Sequence, residues 1–146
     1  MKSILLCLLL SLSAFSQQTS YNESLAVKLG ADDYGMRQYV LVILKTGPAK
    51  PADAERQKLM AGHMENIGRM ADEGMLVMAG PFLKNELAYR GLYIFAVKTV
   101  EEARALTETD PAVKAGVLEA DYLPWYGSAA LPELTAIHKT IQKQNK

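Results

Sequence analysis

Residues 38–45 form a continuous apolar run rich in residues that favour β-structure, and Thr46-Gly47-Pro48 closes it. A strand with one face in water alternates apolar and polar residues, and this run does not. A second run of the same kind spans residues 92–97. Both runs are therefore predicted to be central strands of a sheet, buried on both faces.

Helices and less apolar strands surround these two runs. A helix is predicted from about Ala52 to Glu73, because apolar residues recur there at helical spacing and Gly74 follows. The other predicted elements are a strand over 75–79, a helix opened by the capping pair Thr99 and Glu102, a short helical turn over 110–116, an edge strand over 117–125 and a final helix over 132–142. The order predicts an α+β, ferredoxin-like βαββαβ domain with a four-stranded antiparallel sheet, plus a C-terminal helix.

This topology brings several turns to one edge of the sheet. Gly47-Pro48, Gly80-Pro81-Phe82, Arg90 and Asp110 are all predicted at the upper ends of the strands, where a cleft is expected. Both crossover helices pack on one face, so the other face leaves apolar side chains of the central strands uncovered. A homodimer is therefore predicted, or a cover supplied by the terminal segments.

The first 16 residues have the pattern of a secretory signal peptide: a short positive start, an apolar run over 4–10 and small residues before a cleavage site near Ser16. Cys7 lies inside that run and is expected to be removed with it, which leaves neither a disulfide nor a membrane anchor in the exported protein. The organisation expected is a signal peptide over 1–16, a tether and lead-in over 17–36, a domain over 37–127 and a helical extension over 128–146.

Charge and composition exclude several classes of partner and cofactor. The chain has 16 basic and 16 acidic residues, and loss of Lys2 with the signal peptide leaves a net charge near −1. Nucleic acid and acidic membrane surfaces are therefore not expected partners. His63 and His138 are the two histidines, no Gly-rich phosphate loop is present, and neither a metal nor a cofactor is expected.

Six short motifs occur in a characteristic order and spacing. They are Gly62-His63-Met64, Asp72-Glu73-Gly74, Ala79-Gly80-Pro81, Glu101-Glu102-Ala103, Thr109-Asp110-Pro111 and Pro124-Trp125. Through these motifs, residues 39–125 resemble the YciI-like (YCII-related) proteins, a ferredoxin-like group related to the dimeric α+β barrels. The resemblance implies a dimer whose cleft holds a catalytic His and Asp, which correspond to His63 and Asp110. Most members have no established reaction, and some relatives act in the breakdown of aromatic compounds, including dehydrochlorination. The export signal and the C-terminal arm depart from the family's pattern.

His63 and Asp110 each have a structural interpretation besides the catalytic one. His63 borders the apolar stripe of its helix, where it is either a packed histidine or a general acid and base whose tautomer a carboxylate fixes. Asp110 before Pro111 is what a helix start requires. If the first long helix starts near Asp53, His63 lies roughly 15 Å along its axis from the upper edge where Asp110 is predicted. Contact would then need a later helix start or a dimer.

Three further side chains are candidates for binding a substrate. Phe82 and Trp125 either line an apolar pocket or pack in the core or the dimer interface, and Arg90 either holds a carboxylate or is an exposed residue at a strand end. The function predicted is proton transfer on a small, cyclic or aromatic organic acid, with His63 as acid and base and Asp110 orienting it. The alternative is a non-catalytic, exported dimer that binds a small ligand or only assembles.

Overall fold

The computed structural model describes residues 20–143 of the chain. The predicted signal peptide, with Cys7 and the start of the tether, lies outside these residues. The elements, in chain order, are α1 Glu23–Leu29, β1 Met36–Thr46, α2 Asp53–Asp72, β2 Leu76–Pro81, β3 Tyr89–Phe95, α3 Val100–Thr107, α4 Pro111–Lys114, β4 Leu118–Ser128, a 3-10 turn Leu131–Glu133 and α5 Leu134–Ile141. Among the described residues, no helix is both long and apolar enough to cross a membrane.

The four strands form one antiparallel sheet in the order β2-β3-β1-β4. The two apolar runs are thus its central strands, as predicted, and β4 with Pro124 is an edge. The capping box between Thr99 and Glu102 that was predicted at the start of α3 is present. The protein is α+β with a four-stranded antiparallel sheet and a C-terminal helix, an arrangement consistent with the predicted ferredoxin-like fold.

The main core lies between the sheet and the helices on one of its faces. Val42 and Leu44 of β1 and Phe95 of β3 are fully or almost fully buried there against Met70 of α2. The opposite face carries a smaller cluster of Tyr39, Val77 and Ile94, on which Leu131 packs after the end of β4. Farther along that face Leu123 stays half exposed, so the terminal segment covers only part of it.

The two crossover helices differ greatly in length. Helix α2 has 20 residues and α3 has 8, which correspond to about 30 Å and about 12 Å of rise. Because α3 is so short, the chain turns back at Asp110 beside the middle of α2. The prediction that Asp110 lies at the upper edge of the sheet, far from His63, was therefore wrong. Helix α2 does begin at Asp53, and the two side chains meet within one chain.

Hydrogen bonds hold this turn against α2. The guanidinium group of Arg69 donates to Asn66 Oδ1 at 2.8 Å and to Thr109 Oγ1 at 3.1 Å. Asn66 and Arg69 lie about one and two turns beyond His63 on α2, so the same helix that presents the imidazole also fixes the residue next to Asp110.

Candidate functional site

The side chains of His63 and Asp110 are in direct contact. His63 Nδ1 lies 2.6 Å from Asp110 Oδ2, and Asp110 is completely buried. The other carboxyl oxygen, Oδ1, accepts from the backbone N–H of Ala112 at 2.8 Å and caps α4. Capping the helix and contacting His63 were separate interpretations of Asp110 in the sequence, and the two oxygens allow both at once.

The contact assigns the tautomer of His63. A carboxylate can only accept, so Nδ1 carries the hydrogen and Nε2 keeps its lone pair in the neutral imidazole. Nε2 makes no hydrogen bond to any residue that the structure describes, and within residues 20–143 no buried side-chain nitrogen or oxygen lacks a partner. Nε2 is therefore accessible from the adjoining cavity, although His63 as a whole is only 7% exposed.

Tyr93 is the third member of this cluster. Its hydroxyl donates to Asp110 Oδ2 at 3.3 Å and lies 3.4 Å from His63 Nδ1, and its ring stacks on the imidazole with the centroids 6.2 Å apart. Burial raises the pKa of the Tyr93 phenol well above its usual range, and the negative charge of Asp110 raises it further. The phenol therefore stays protonated and acts as a donor to the carboxylate.

Tyr93 was not among the predicted site residues, because in the sequence it is one more apolar residue of a central strand. A signal was available. The strand that contains Tyr93 was predicted to be buried on both faces, so the hydroxyl of this tyrosine needs a hydrogen-bond partner inside the protein. Few polar groups can reach the middle of a sheet. Asp110 and His63 were the candidates.

A cavity of about 310 Å³ opens beside the cluster, between α2 and the upper halves of β2 and β3. His63 and Tyr93 lie in its wall, and Arg90 is exposed at its rim. The rest of the wall is almost entirely apolar, made by Leu44, Met60, Met64, Ile67, Ala79, Gly80, Pro81, Gly91 and Leu118. The structure thus joins one imidazole and one guanidinium group in a largely apolar pocket.

A hydrogen bond to a neighbouring strand positions the side chain of Arg90. Its Nε donates to Thr46 Oγ1 at the end of β1, and no carboxylate of the described residues forms an ion pair with it. The terminal nitrogens are therefore free to bind an anionic group that enters the cavity.

Two predicted binding residues do not line this cavity. Phe82 packs on Tyr89 with the ring centroids 5.8 Å apart, and Trp125 packs on Tyr39 at the same distance. Tyr39 belongs to the cluster on the other face of the sheet. Of the five predicted site residues, the structure brings together His63, Asp110 and Arg90. In residues 20–143 no group of three His, Cys, Asp or Glu side chains has the geometry to hold a metal ion.

A model of the YCII-related domain matches residues 38–125. The chain belongs to that family. The match contains all three side chains of the cluster and ends before the 3-10 turn and α5. This confirms the resemblance seen in the sequence motifs and leaves the C-terminal helix as an addition to the family domain.

Known proteins that are similar to this chain include one from Bacillus subtilis and one from Burkholderia phenoliruptrix. The uncharacterized protein YjpA of Bacillus subtilis (strain 168) is 30% identical over 90 residues, which are 62% of this chain and 95% of YjpA. The solved structure of 5-chloro-2-hydroxyhydroquinone dehydrochlorinase (TftG) from Burkholderia phenoliruptrix AC1100, in complex with 2,5-dihydroxybenzoquinone, is 18% identical with a TM-score of 0.44. That similarity covers 59% of this chain and 92% of the TftG chain.

Proposed function

We propose that this member of the YCII-related family is an acid–base catalyst that transfers a proton on a small organic acid, with His63 as the group that takes and returns the proton. One observation carries the proposal. The Nδ1 side of the imidazole is bound to a buried carboxylate, while Nε2 is accessible from a small, largely apolar cavity. Arg90 lies at the rim of that cavity and forms no ion pair with a carboxylate of residues 20–143.

The proposed mechanism uses the two nitrogens of His63 differently. Nε2 removes a proton from the bound substrate, and the imidazolium cation that results is stabilised by Asp110 at 2.6 Å. The same Nε2–H can then return the proton to another atom of the substrate, which is an isomerisation, or protonate a leaving group, which completes an elimination. Both belong to the lyase and isomerase type of chemistry.

Tyr93 supports this role without exchanging protons itself. Its phenol donates to the oxygen of Asp110 that also contacts His63, and its raised pKa keeps the phenol neutral during turnover. That hydrogen bond holds Oδ2 in line with Nδ1 and compensates for burying the carboxylate.

The cavity favours a substrate with one anionic group and one apolar ring or short chain. Arg90 at the rim fits a carboxylate or an ionised hydroxyl group, and the apolar wall fits the rest of the molecule. A volume of about 310 Å³ is at the small end of ligand pockets, which suits a single ring.

We also propose that the enzyme is exported and works outside the cytoplasm. The support is the signal-like pattern of residues 1–16. Expression of the full chain in a bacterium, followed by cell fractionation and mass spectrometry of the N-terminus, tests this. The expected result is extracytoplasmic protein that begins at Gln17, and cytoplasmic protein that retains Met1 or Lys2 contradicts it.

Proton transfer can be tested before the substrate is known. Small carbon acids, such as 2-keto acids, arylacetates, cyclic 1,3-diketones and hydroxyquinones, are incubated with the protein in D₂O, and loss of C–H signals is followed by proton NMR. We expect exchange on at least one class, and His63→Gln should slow it by about 10²-fold to 10⁴-fold.

A matched control comes from the same helix. Glu65 is exposed on α2 and does not line the cavity, so Glu65→Gln should leave the exchange rate unchanged. If one of the carbon acids binds in the cavity but neither the wild type nor His63→Gln exchanges any proton, the chain is a binding module and the catalytic proposal is wrong.

A further inference from the structure

A second cavity, of about 430 Å³, lies between α2, β2 and the C-terminal helix α5. Leu134, Ile137 and Ile141 of α5 form one wall, and Ile67 and Met78 belong to the facing wall. Among the described residues that line it there is no Asp, Glu, Lys or Arg, and the polar ones are Thr135 and His138. We call this cavity the α5 groove.

The α5 groove adjoins the pocket of His63. Ile67 and Ala79 line both cavities. On α2, His63, Ile67 and Ala71 lie at successive turns, about 6 Å apart along the axis, with His63 in the pocket and Ala71 in the groove. The two spaces therefore follow the same side of α2 and meet at Ile67.

The apolar side chains of α5 are exposed although they face this groove. Ile137 is 57% exposed and Ile141 is 74% exposed. The helix is nevertheless held in place, because Leu131 just before it packs on the cluster around Tyr39 and because Lys139 pairs with Asp72 at the end of α2 at 3.3 Å. The exposed apolar side chains of α5 therefore form a surface that an apolar ligand could bury.

We propose that the α5 groove binds the apolar tail of the substrate whose acidic, reacting end lies at Arg90 and His63. The inference rests on the proposed function for the position of that end. The two cavities share Ile67 and Ala79 in their walls, which argues for one elongated ligand rather than two. The described residues that line the groove include no Asp, Glu, Lys or Arg, which argues for an alkyl or aryl tail. Because α5 lies beyond the family domain, it extends the binding site, and this chain accepts a longer substrate than the domain alone would.

The length of the tail can be measured by binding alone. The probes are 4-alkylbenzoates from methyl to hexyl, whose carboxylate and ring suit the pocket and whose alkyl chain extends toward the groove. Isothermal titration calorimetry of the full chain should show the affinity rising about threefold to fourfold for each methylene that enters the groove. Ile137→Glu should remove this gain for the long members and leave the affinity for 4-methylbenzoate unchanged.

Ala136 offers a matched control. It is exposed on the same helix but does not line the groove, so Ala136→Glu should keep the wild-type dependence on chain length. An affinity that is independent of chain length in the wild type, no binding by any member of the series, or an equal loss in Ala136→Glu and Ile137→Glu overturns the proposal.

Two further measurements separate this inference from its alternatives. If Ile137→Glu converts a wild-type dimer to a monomer in light scattering, the groove is an interface between two copies and the proposal is wrong. Failure of the catalytic function has a different signature: the chain-length dependence persists in binding, while proton exchange is absent in the wild type.

Discussion

Pro111 lies directly against Gly62, so closely that a Cβ atom added at Gly62 would stand 2.8 Å from Pro111 Cγ. The two residues are sequence neighbours of Asp110 and His63. A side chain at position 62 would separate the turn from α2 at the point where the imidazole and the carboxylate meet. The lack of a side chain at Gly62 is therefore a condition for the contact between His63 and Asp110.

Gly62→Ala should destabilise the protein and disturb the site. The new methyl group must displace Pro111, and overpacking of this kind costs about 1–3 kcal/mol. Urea unfolding measures the loss, and the exchange assay in D₂O should show a slower rate because Asp110 moves away from Nδ1.

Gly68 on the same helix is the control for Gly62. Nothing lies within 4 Å of a Cβ added there, so Gly68→Ala should stabilise α2 by about 0.5–1 kcal/mol through its higher helix propensity. If both substitutions stabilise the protein equally, the close approach of Pro111 does not constrain the turn.

Asp110→Asn separates the cap from the proposed catalytic role. The amide oxygen can still accept from the N–H of Ala112, but the NH₂ group would donate to His63 Nδ1 and move the hydrogen to Nε2. Proton abstraction should fall by about 10²-fold to 10⁴-fold, as expected for the wrong tautomer, while most of the stability remains.

Asp110→Ala is the comparison for that variant, because it removes the cap as well. It should cost about 0.5–2 kcal/mol more than Asp110→Asn in urea unfolding. An Asn variant that exchanges protons at the wild-type rate would show that Asp110 only caps α4.

The sheet and its order could be predicted from the sequence because each depends on a local pattern. Two runs without polar alternation, over 38–45 and 92–97, indicated central strands, and the capping pair Thr99 and Glu102 located the start of α3. Such signals need no knowledge of distant contacts. The family motifs then selected His63 and Asp110 from the few reactive side chains.

The position along the axis of α2 at which Asp110 contacts the helix could not be predicted in the same way. It depends on where α3 ends, and a helix of 8 residues beside one of 20 leaves the turn halfway along the longer helix. The sequence limits α3 to residues between Thr99 and Asp110, but it does not show at which point along a longer helix the end of a short one packs. Nor does the sequence show that Trp125 faces away from the helices, because a single residue of an edge strand gives no alternation to read.

The free energy of unfolding should fall at alkaline pH because the buried phenol of Tyr93 resists ionisation in the folded state. Its pKa in the folded state is raised above the unfolded value near 10 by burial and by the charge of Asp110, so the stabilisation is complete below about pH 10 and is lost as the pH rises. The slope for one such group approaches about 1.4 kcal/mol per pH unit.

Tyr93→Phe removes that titration and should flatten the decline in urea unfolding between pH 9 and pH 11.5. The decline should not vanish, because burial also raises the pKa of Tyr39. A Tyr93→Phe protein with the same alkaline slope as the wild type would mean that the phenol ionises as easily in the folded state as in the unfolded chain.

The face of the sheet opposite α2 should form a homodimer. Leu41 of β1 pairs in register with Leu123 of β4 on this face, and Trp125 lies two residues farther along the strand. Leu123 and Trp125 are 51% and 36% exposed, a row of apolar side chains that a second copy of the chain would bury.

Leu123→Lys should therefore halve the mass measured by size-exclusion chromatography with light scattering, while Glu101→Lys on the exposed side of α3 should leave it unchanged. A wild-type monomer at micromolar concentration would contradict the dimer, and the apolar row would then be an exposed feature of a single chain.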